Sequence, residues 1–283
     1  MAITKFSDMV VRDDLFDEVF VEEVNQRVNI TNAQSNGAIV LNTKLQDGHY
    51  GKTRFFDRPS SFISRRDITS VSAVTPTTVT QDEVISVKVN RKGVLQPTLD
   101  SIIKGGSTSE EFTANFAMFA AEEYLKDQVN TGINAVESFL SGETGLKHDA
   151  SDGTLAFSDL VSGMSKMGDR AMSSVRAWVI HSKPWFDLLA AAGTTANAPA
   201  NEVANEALQF GRVPGINRPF VVTDAAGLYL DATTDLYYTL GLVEGGLVIE
   251  ESEEPRVLIR VEGGLENLTL LMQFEFAYNI TVK

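Results

Sequence analysis

The chain has 283 residues, 43% of them hydrophobic and 22% charged, with a formal net charge of -14. That composition suits a folded protein with ample core and excludes wholesale disorder. The acidic balance speaks against a protein whose work is coating nucleic acid, which needs clustered Lys and Arg. The sequence contains no cysteine, which excludes disulfides, thiolate nucleophiles and Cys-ligated zinc.

Met1 to Asp8 lacks the basic-then-apolar order of a secretory signal, and no 18-residue apolar stretch is present to span a bilayer, so cytosolic synthesis is expected. Asp13 to Val28 sets Leu15, Phe16, Val19, Phe20, Val24 and Val28 at helical spacing, with Asp13 and Asp14 at the favourable end of the helix dipole. This helix either lies on its own core or serves as an exchanged arm on another subunit, with Phe16 and Phe20 as its contacts. Ala38 to Leu45 reads as a strand. From Gly51 to Ile68 the character changes: Lys52, Arg54, Arg58, Arg65 and Arg66 outnumber Asp57 and Asp67, and Phe55, Phe56, Phe62 and Ile63 add apolar surface. Gly48, Gly51 and Pro59 discourage a long helix there. Ile85, Val87 and Val89 then alternate with Ser86, Lys88 and Asn90, the pattern of a half-buried returning strand. Two strands enclosing this basic, aromatic stretch predict a long two-stranded loop, marginal alone and in need of a surface to lie on.

Ser109 to Ser141 carries the strongest helical pattern. Glu110 and Glu111 occupy its first turn, and two apolar stripes follow, Phe112, Phe116, Phe119 and Ala120, then Leu125, Val129, Ile133, Val136 and Leu140. The stripe rotates around the axis, so the two halves should rest on different partners. Beyond it the sequence predicts a helix over 157–172, a buried strand over 175–180 centred on Trp178, a helix after Ser182 with Trp185 and Leu188 inside, a flexible loop over 194–205, and a buried strand at Phe220 to Thr223. Leu236 to Leu240 and Gly246 to Ile249 read as strands, Glu250 to Pro255 as an acidic loop, and Val257 to Val261 and Phe274 to Val282 as closing strands.

No catalytic constellation interrupts this succession. Gly51-Lys52-Thr53 lacks the earlier glycine of a phosphate loop, since position 46 is Gln. Ser101-Ile102-Ile103-Lys104 stands without the companion motifs of an acylating serine. His49, His148 and His181 lie in separate segments without metal-ligand spacing, and Glu250 to Glu254 lacks the ligand alternation of a calcium loop.

The order of segments resembles the major capsid protein of tailed bacteriophages, the Hong Kong 97-type shell fold. The local wording is similar as well, in Arg176-Ala177-Trp178-Val179-Ile180-His181-Ser182 and in Gly215-Ile216-Asn217-Arg218-Pro219-Phe220-Val221-Val222. The resemblance implies an α+β protein with an N-terminal arm (1–44), an extended two-stranded loop (45–93), a peripheral domain with a long spine helix and sheet (94–149 and 256–283), and an axial α/β domain (150–255). It implies a virion protein that self-assembles into pentamers and hexamers of an icosahedral head shell. The shell would enclose double-stranded DNA without sequence-specific binding, with a separate scaffolding protein, a portal and a decoration protein as partners, and with no membrane and no cofactor. Candidate contacts between subunits are Arg54, Phe55, Phe56, Arg58, Phe62, Arg65, Arg66, Glu110, Glu111, Phe16 and Phe20. A cross-linking Lys–Asn bond known in some relatives is not expected from residue types alone. The rival classes are a soluble α/β enzyme and a tail or ring structural protein.

Overall fold

The computed structural model describes residues 13–43, 50–56, 76–104, 109–150, 153–168, 174–194, 203–204, 209–212, 218–231, 235–263 and 266–283, with scattered positions between 63 and 73. Helix α1 (Asp13–Gln34) outlasts its expected end and buries Phe16, Phe20, Arg27 and Thr31 along one face. It stops where Asn36 (φ 54°) and Gly37 (φ 73°) enter the left-handed region, a conformation that Gly adopts without steric cost. The Asn32 carboxamide then clamps strand β1 (Ile39–Thr43), accepting from the Leu41 N–H at 2.8 Å and donating to the Leu41 carbonyl at 2.9 Å.

The first sheet has five strands in the order β1, β11 (Leu247–Glu262), β12 (Thr269–Val282), β3 (Gln81–Leu95) and β2 (Tyr50–Phe56). β1 runs parallel to β11 and the remaining neighbours are antiparallel. The expected acidic loop is therefore absent: Glu250 to Pro255 lies inside β11, which also runs through the 255/256 junction. β12 pairs with this stretch and β1 with its first two residues, Glu250 and Glu251, and two register irregularities, at Glu251/Glu253 and Glu253/Arg256, accommodate it. Irregularities of this kind re-aim side chains and increase local twist. A short helix, α2 (Leu99–Lys104), links β3 towards α3 (Ser109–Gly142). The 34 residues of α3 extend about 50 Å at 1.5 Å per residue. It rests on α1 and on the sheet; a Cβ at Gly132 would come within 2.9 Å of Leu247 and 3.0 Å of Ile249, so the glycine permits the close approach.

The second sheet runs β10 (Thr239–Val243), β4 (Val175–Ile180), β7 (Pro219–Val222), β6 (Gln209–Arg212) and β5 (Val203–Ala204). Ala177, Val179, Val221, Leu240 and Leu242 turn into the same core as α3 and the first sheet. Trp178, Ile180, Phe220 and Val222 turn the other way, into a second core with α4 (Phe157–Ser165) and α5 (Ser182–Thr194). Burial on both faces explains why these strands read as unbroken apolar runs. α4 is shorter than expected: a turn carries the chain through Met167 to Gly168, whose φ is 70°. The two-residue strand β5 interrupts the stretch predicted as a loop; residues 195–202 lie outside the described residues. A two-stranded ribbon, β8 (Tyr229–Leu230) with β9 (Leu236–Tyr237), completes this half.

Candidate functional site

Among the described residues, the ribbon of β2 and β3 gathers several large apolar side chains that the core leaves uncovered. Its register pairs Tyr50 with Val87 and Phe56 with Gln81, seven residues against seven. The alternation read from the sequence is real but inverted: Ser86 is 7% exposed, whereas Ile85 and Val87 are 53% and 63% exposed. Val89 stands opposite Tyr278 and Val87 opposite Ile280, so Ile85 and Val87 continue the sheet face that carries Tyr278 beneath α3. Tyr50, at 60% exposure, joins them on that face. The apolar face of the sheet thus runs past its helical cover.

The basic residues sit on or beyond this ribbon. Lys52 pairs with Glu83 across it at 2.7 Å. Arg54 is exposed opposite that same Glu83, Phe55 stands opposite Asp82 with its side chain outside the described residues, and Phe56 is 71% exposed. Arg65 and Arg66 are exposed in an irregular stretch. Arg58 and Phe62 lie outside the described residues. Of the two acidic candidate contacts, Glu111 is exposed in the first turn of α3, and the side chain of its neighbour Glu110 lies outside the described residues. The acidic stretch of β11 is engaged within the chain: Glu251 accepts from the Tyr124 hydroxyl at 3.1 Å, and Glu253 forms an ion pair with Lys88.

Phe16 and Phe20 are not surface residues. They are 0% and 3% exposed, with Phe16 against Phe116 (centroids 5.4 Å apart) and Phe20 against Tyr124 and Phe274. Their burial within the chain replaces the exchanged-arm reading of α1 with an intrachain one. The sequence reading also missed a polar cluster that fastens α3 to the sheet. The Tyr278 hydroxyl donates to Asp127 Oδ2 at 2.7 Å and lies 3.0 Å from Thr131 Oγ1, while the Arg91 guanidinium donates to both Asp127 and Thr131. Hydrogen bonding to Tyr278 first, with the charge of Asp127 behind it, raises the pKa of Arg91 and keeps it cationic. Burial, and then the charge of Glu251, pushes the Tyr124 phenol far up; burial also raises Tyr278. Residues that meet only through register and helix packing leave no signal in sequence spacing.

Among the described residues no group of three His, Asp or Glu side chains is placed to hold a metal ion. His148 stands 3.7 Å from Asp159 and His181 3.5 Å from Asp224, each pair held between local elements. His181 Nδ1 also accepts from the Lys183 N–H. No described helix is long and apolar enough to cross a membrane.

An interlocked double core under one long helix, with an uncovered β-ribbon projecting from its sheet, is a building-block geometry, and the comparisons agree with it. The family model for Gp13-like proteins, major capsid protein 13-like, matches residues 8–283. The chain belongs to this family of major capsid proteins. No curated protein matches the sequence. Among solved structures the fold is similar to a chain from Mycobacterium phage Adephagia (10% identity, TM-score 0.55, covering 88% of this chain and 83% of that one). It is similar to the capsid asymmetric unit of cyanophage Pam1 (10% identity, TM-score 0.54, 100% and 90% covered) and to a chain from Mycobacterium phage Che8 (13% identity, TM-score 0.51, 99% and 95% covered). At such identities the likeness concerns the fold, which is of the Hong Kong 97 capsid type. The major capsid protein described here is a structural component of a phage head shell.

Proposed function

We propose that copies of this chain join through the β2–β3 ribbon and the basic loop it carries, laid on a neighbouring subunit, to make pentamers and hexamers of a closed shell. The observation behind this reading is the joint exposure of Tyr50, Phe56, Ile85 and Val87 on one ribbon that continues the apolar face of the first sheet. At about 25 cal/mol per Å2, apolar area left in water on every copy is a standing drive to associate. Arg54, Phe55, Arg58, Phe62, Arg65 and Arg66 would flank that contact, with Glu110 and Glu111 at the start of a neighbour's α3 as their counterparts. Each exposed pair would contribute roughly 0–1 kcal/mol, so the charges would set register while the apolar ribbon supplies most of the drive. Repetition of one such heterologous contact closes a ring when its rotation permits.

On this reading residues 1–44 are the N-terminal arm, with its helix α1 packed on the chain's own core, 45–93 the extended loop, 94–149 with 256–283 the peripheral domain, and 150–255 the axial domain. A separate scaffold, a portal, a decoration protein and enclosed double-stranded DNA complete the proposed particle, built in the host cytoplasm. The double substitution Ile85→Ser with Val87→Ser tests the ribbon. The variant should keep the circular dichroism and thermal transition of the parent while sedimenting as unassembled protein. Assembly at the parental level would remove the ribbon from the interface.

A further inference from the structure

An apolar cavity of about 490 Å3 lies between the N-terminal half of α3 and the neighbouring ends of β3 and β12, walled by Leu95, Pro97, Phe112, Phe116, Phe119 and Met272. Phe119 is 66% exposed on this wall, although the sequence pattern of α3 assigned it to a buried stripe. Resting on the reading that the β2–β3 ribbon joins copies, we infer that this cavity is the socket for the ribbon of a second copy. Phe56 of one chain enters it, flanked by an ion pair between Arg54 of that chain and Glu111 of the other.

Three observations name the occupant. The first is distance within one chain. Phe56 pairs with Gln81 at the start of β3, whereas Leu95, at the end of β3, is a wall of the cavity. The full run of β3 separates them, about 46 Å at 3.3 Å per residue. A chain therefore cannot bring Phe56 to its own cavity, and the knob of one copy meets only the socket of another. Knob and socket at opposite ends of one strand make a head-to-tail contact, the kind that repeats around a ring. The second is charge. Arg54 projects from the same face of β2 as Phe56, two residues away, about 7 Å along the strand. Glu111 and Asn115 stand one turn apart on α3, with Cβ atoms roughly 5–6 Å from each other. Asn115 lines the cavity, so the exposed Glu111 stands at its rim. Glu262 adds a second acid there, accepting from the cavity-lining Gln96 at 3.1 Å. Anchor and cation on the ribbon thus have the spacing of pocket and carboxylate on α3. The third is the chemistry of the walls, three phenylalanine rings and a proline. A phenylalanine entering such a site buries roughly 150–250 Å2, and aromatic anchors seated in apolar pockets dominate contacts between proteins. Phe56, largely exposed in its own chain, is such an anchor.

The chain has no native cysteine, so two thiols can be introduced without competitors. Gln81→Cys lies beside Phe56 across the ribbon and Asn115→Cys on the cavity wall; placed in one chain, they leave Phe56, Arg54, Glu111 and the aromatic walls intact. Assembled full-length protein is treated with a bismaleimide of short span. The expected result is a ladder of covalent multimers beyond two chains on denaturing electrophoresis, with the link between positions 81 and 115 located by peptide mapping. Gln81→Cys with Ser138→Cys, near the far end of α3, should give monomer. Monomer from the first pair overturns the socket, and bands that stop at two chains overturn the head-to-tail contact. The Ile85→Ser, Val87→Ser variant separates this proposal from the ribbon reading beneath it. Loss of assembly in that variant, without a link between positions 81 and 115, removes the socket alone; assembly at the parental level removes both. Should the cysteine pair itself not assemble, Arg54→Glu and Glu111→Arg make the same test. Each alone should raise the concentration needed for assembly by up to about fivefold, and the two in one chain should restore it. A double exchange that restores nothing overturns the proposal.

Discussion

Tyr124 and Tyr278 each hold a phenol in the seam between α3 and the first sheet, one on Glu251 and the other on Asp127. Both phenols have pKa values raised by burial, so each stays protonated in the folded chain when an unfolded tyrosine, titrating near pH 10, has begun to ionise. The stability this represents is fully present below about pH 10 and is lost as the pH climbs towards the folded values. Tyr124→Phe should cost about 1–2 kcal/mol at neutral pH through the lost bond to Glu251. It should also make the fall of the urea midpoint above about pH 10 shallower than in the parent. A parallel fall in both proteins would show that Tyr124 does not stay protonated. Gly93 makes a second case. A Cβ there would sit 2.2 Å from Cε1 of Phe274, and that ring also contacts Phe20 of α1. Gly93→Ala should therefore destabilise the fold by about 1–3 kcal/mol, read as a lowered urea midpoint, and an unchanged midpoint would mean the ring shifts freely.

At the scale of elements, α1 behaves as core. Deleting residues 1–28 removes Phe16 and Phe20 from beneath Phe116, Tyr124 and Phe274, so the thermal transition itself should be lost or strongly lowered. Truncation of one such buried phenylalanine alone, Phe16→Ala, should cost about 3–5 kcal/mol. A truncated chain that melts like the parent but assembles poorly would return α1 to the role of an exchanged arm. The basic loop calls for a different experiment: reversing Arg54, Arg58, Arg65 and Arg66 together should leave the circular dichroism unchanged and make assembly fail or depend steeply on salt. The same assembly at every ionic strength would take the loop out of the contact. These elements also show what the sequence could convey. α3 and β12 were legible because their apolar periods are long and regular. β11 was not, since four glutamates and a proline imitate a surface loop; what keeps them in a strand is pairing with β1 and β12 together with Tyr124 and Lys88, all remote in sequence. The alternation in β3 announced a two-faced strand, yet no local pattern states whether the apolar face meets its own helix or a neighbour. Phe16 and Phe20 posed the same ambiguity, and here packing within the chain resolved it the other way.

At the scale of the whole molecule, two cores share one sheet-and-helix wall. Ala177 and Val179 point into the core of α3, while Trp178 and Ile180 point into that of α4 and α5. A subunit joined in this way transmits load through packed side chains and not through a linker, which suits repetition in a shell. The family and the fold were legible in the order of segments, because each has its own composition. The assembly contacts were legible only as the basic, aromatic loop, since a surface shaped for another copy leaves no complementary pattern within one chain. The most direct test of the central claim is electron microscopy of the purified full chain, expressed with and without a scaffolding partner. Closed shells of uniform size, with five- and six-fold capsomers, are the predicted result. Monomers, open tubes or isolated rings under every condition would contradict it.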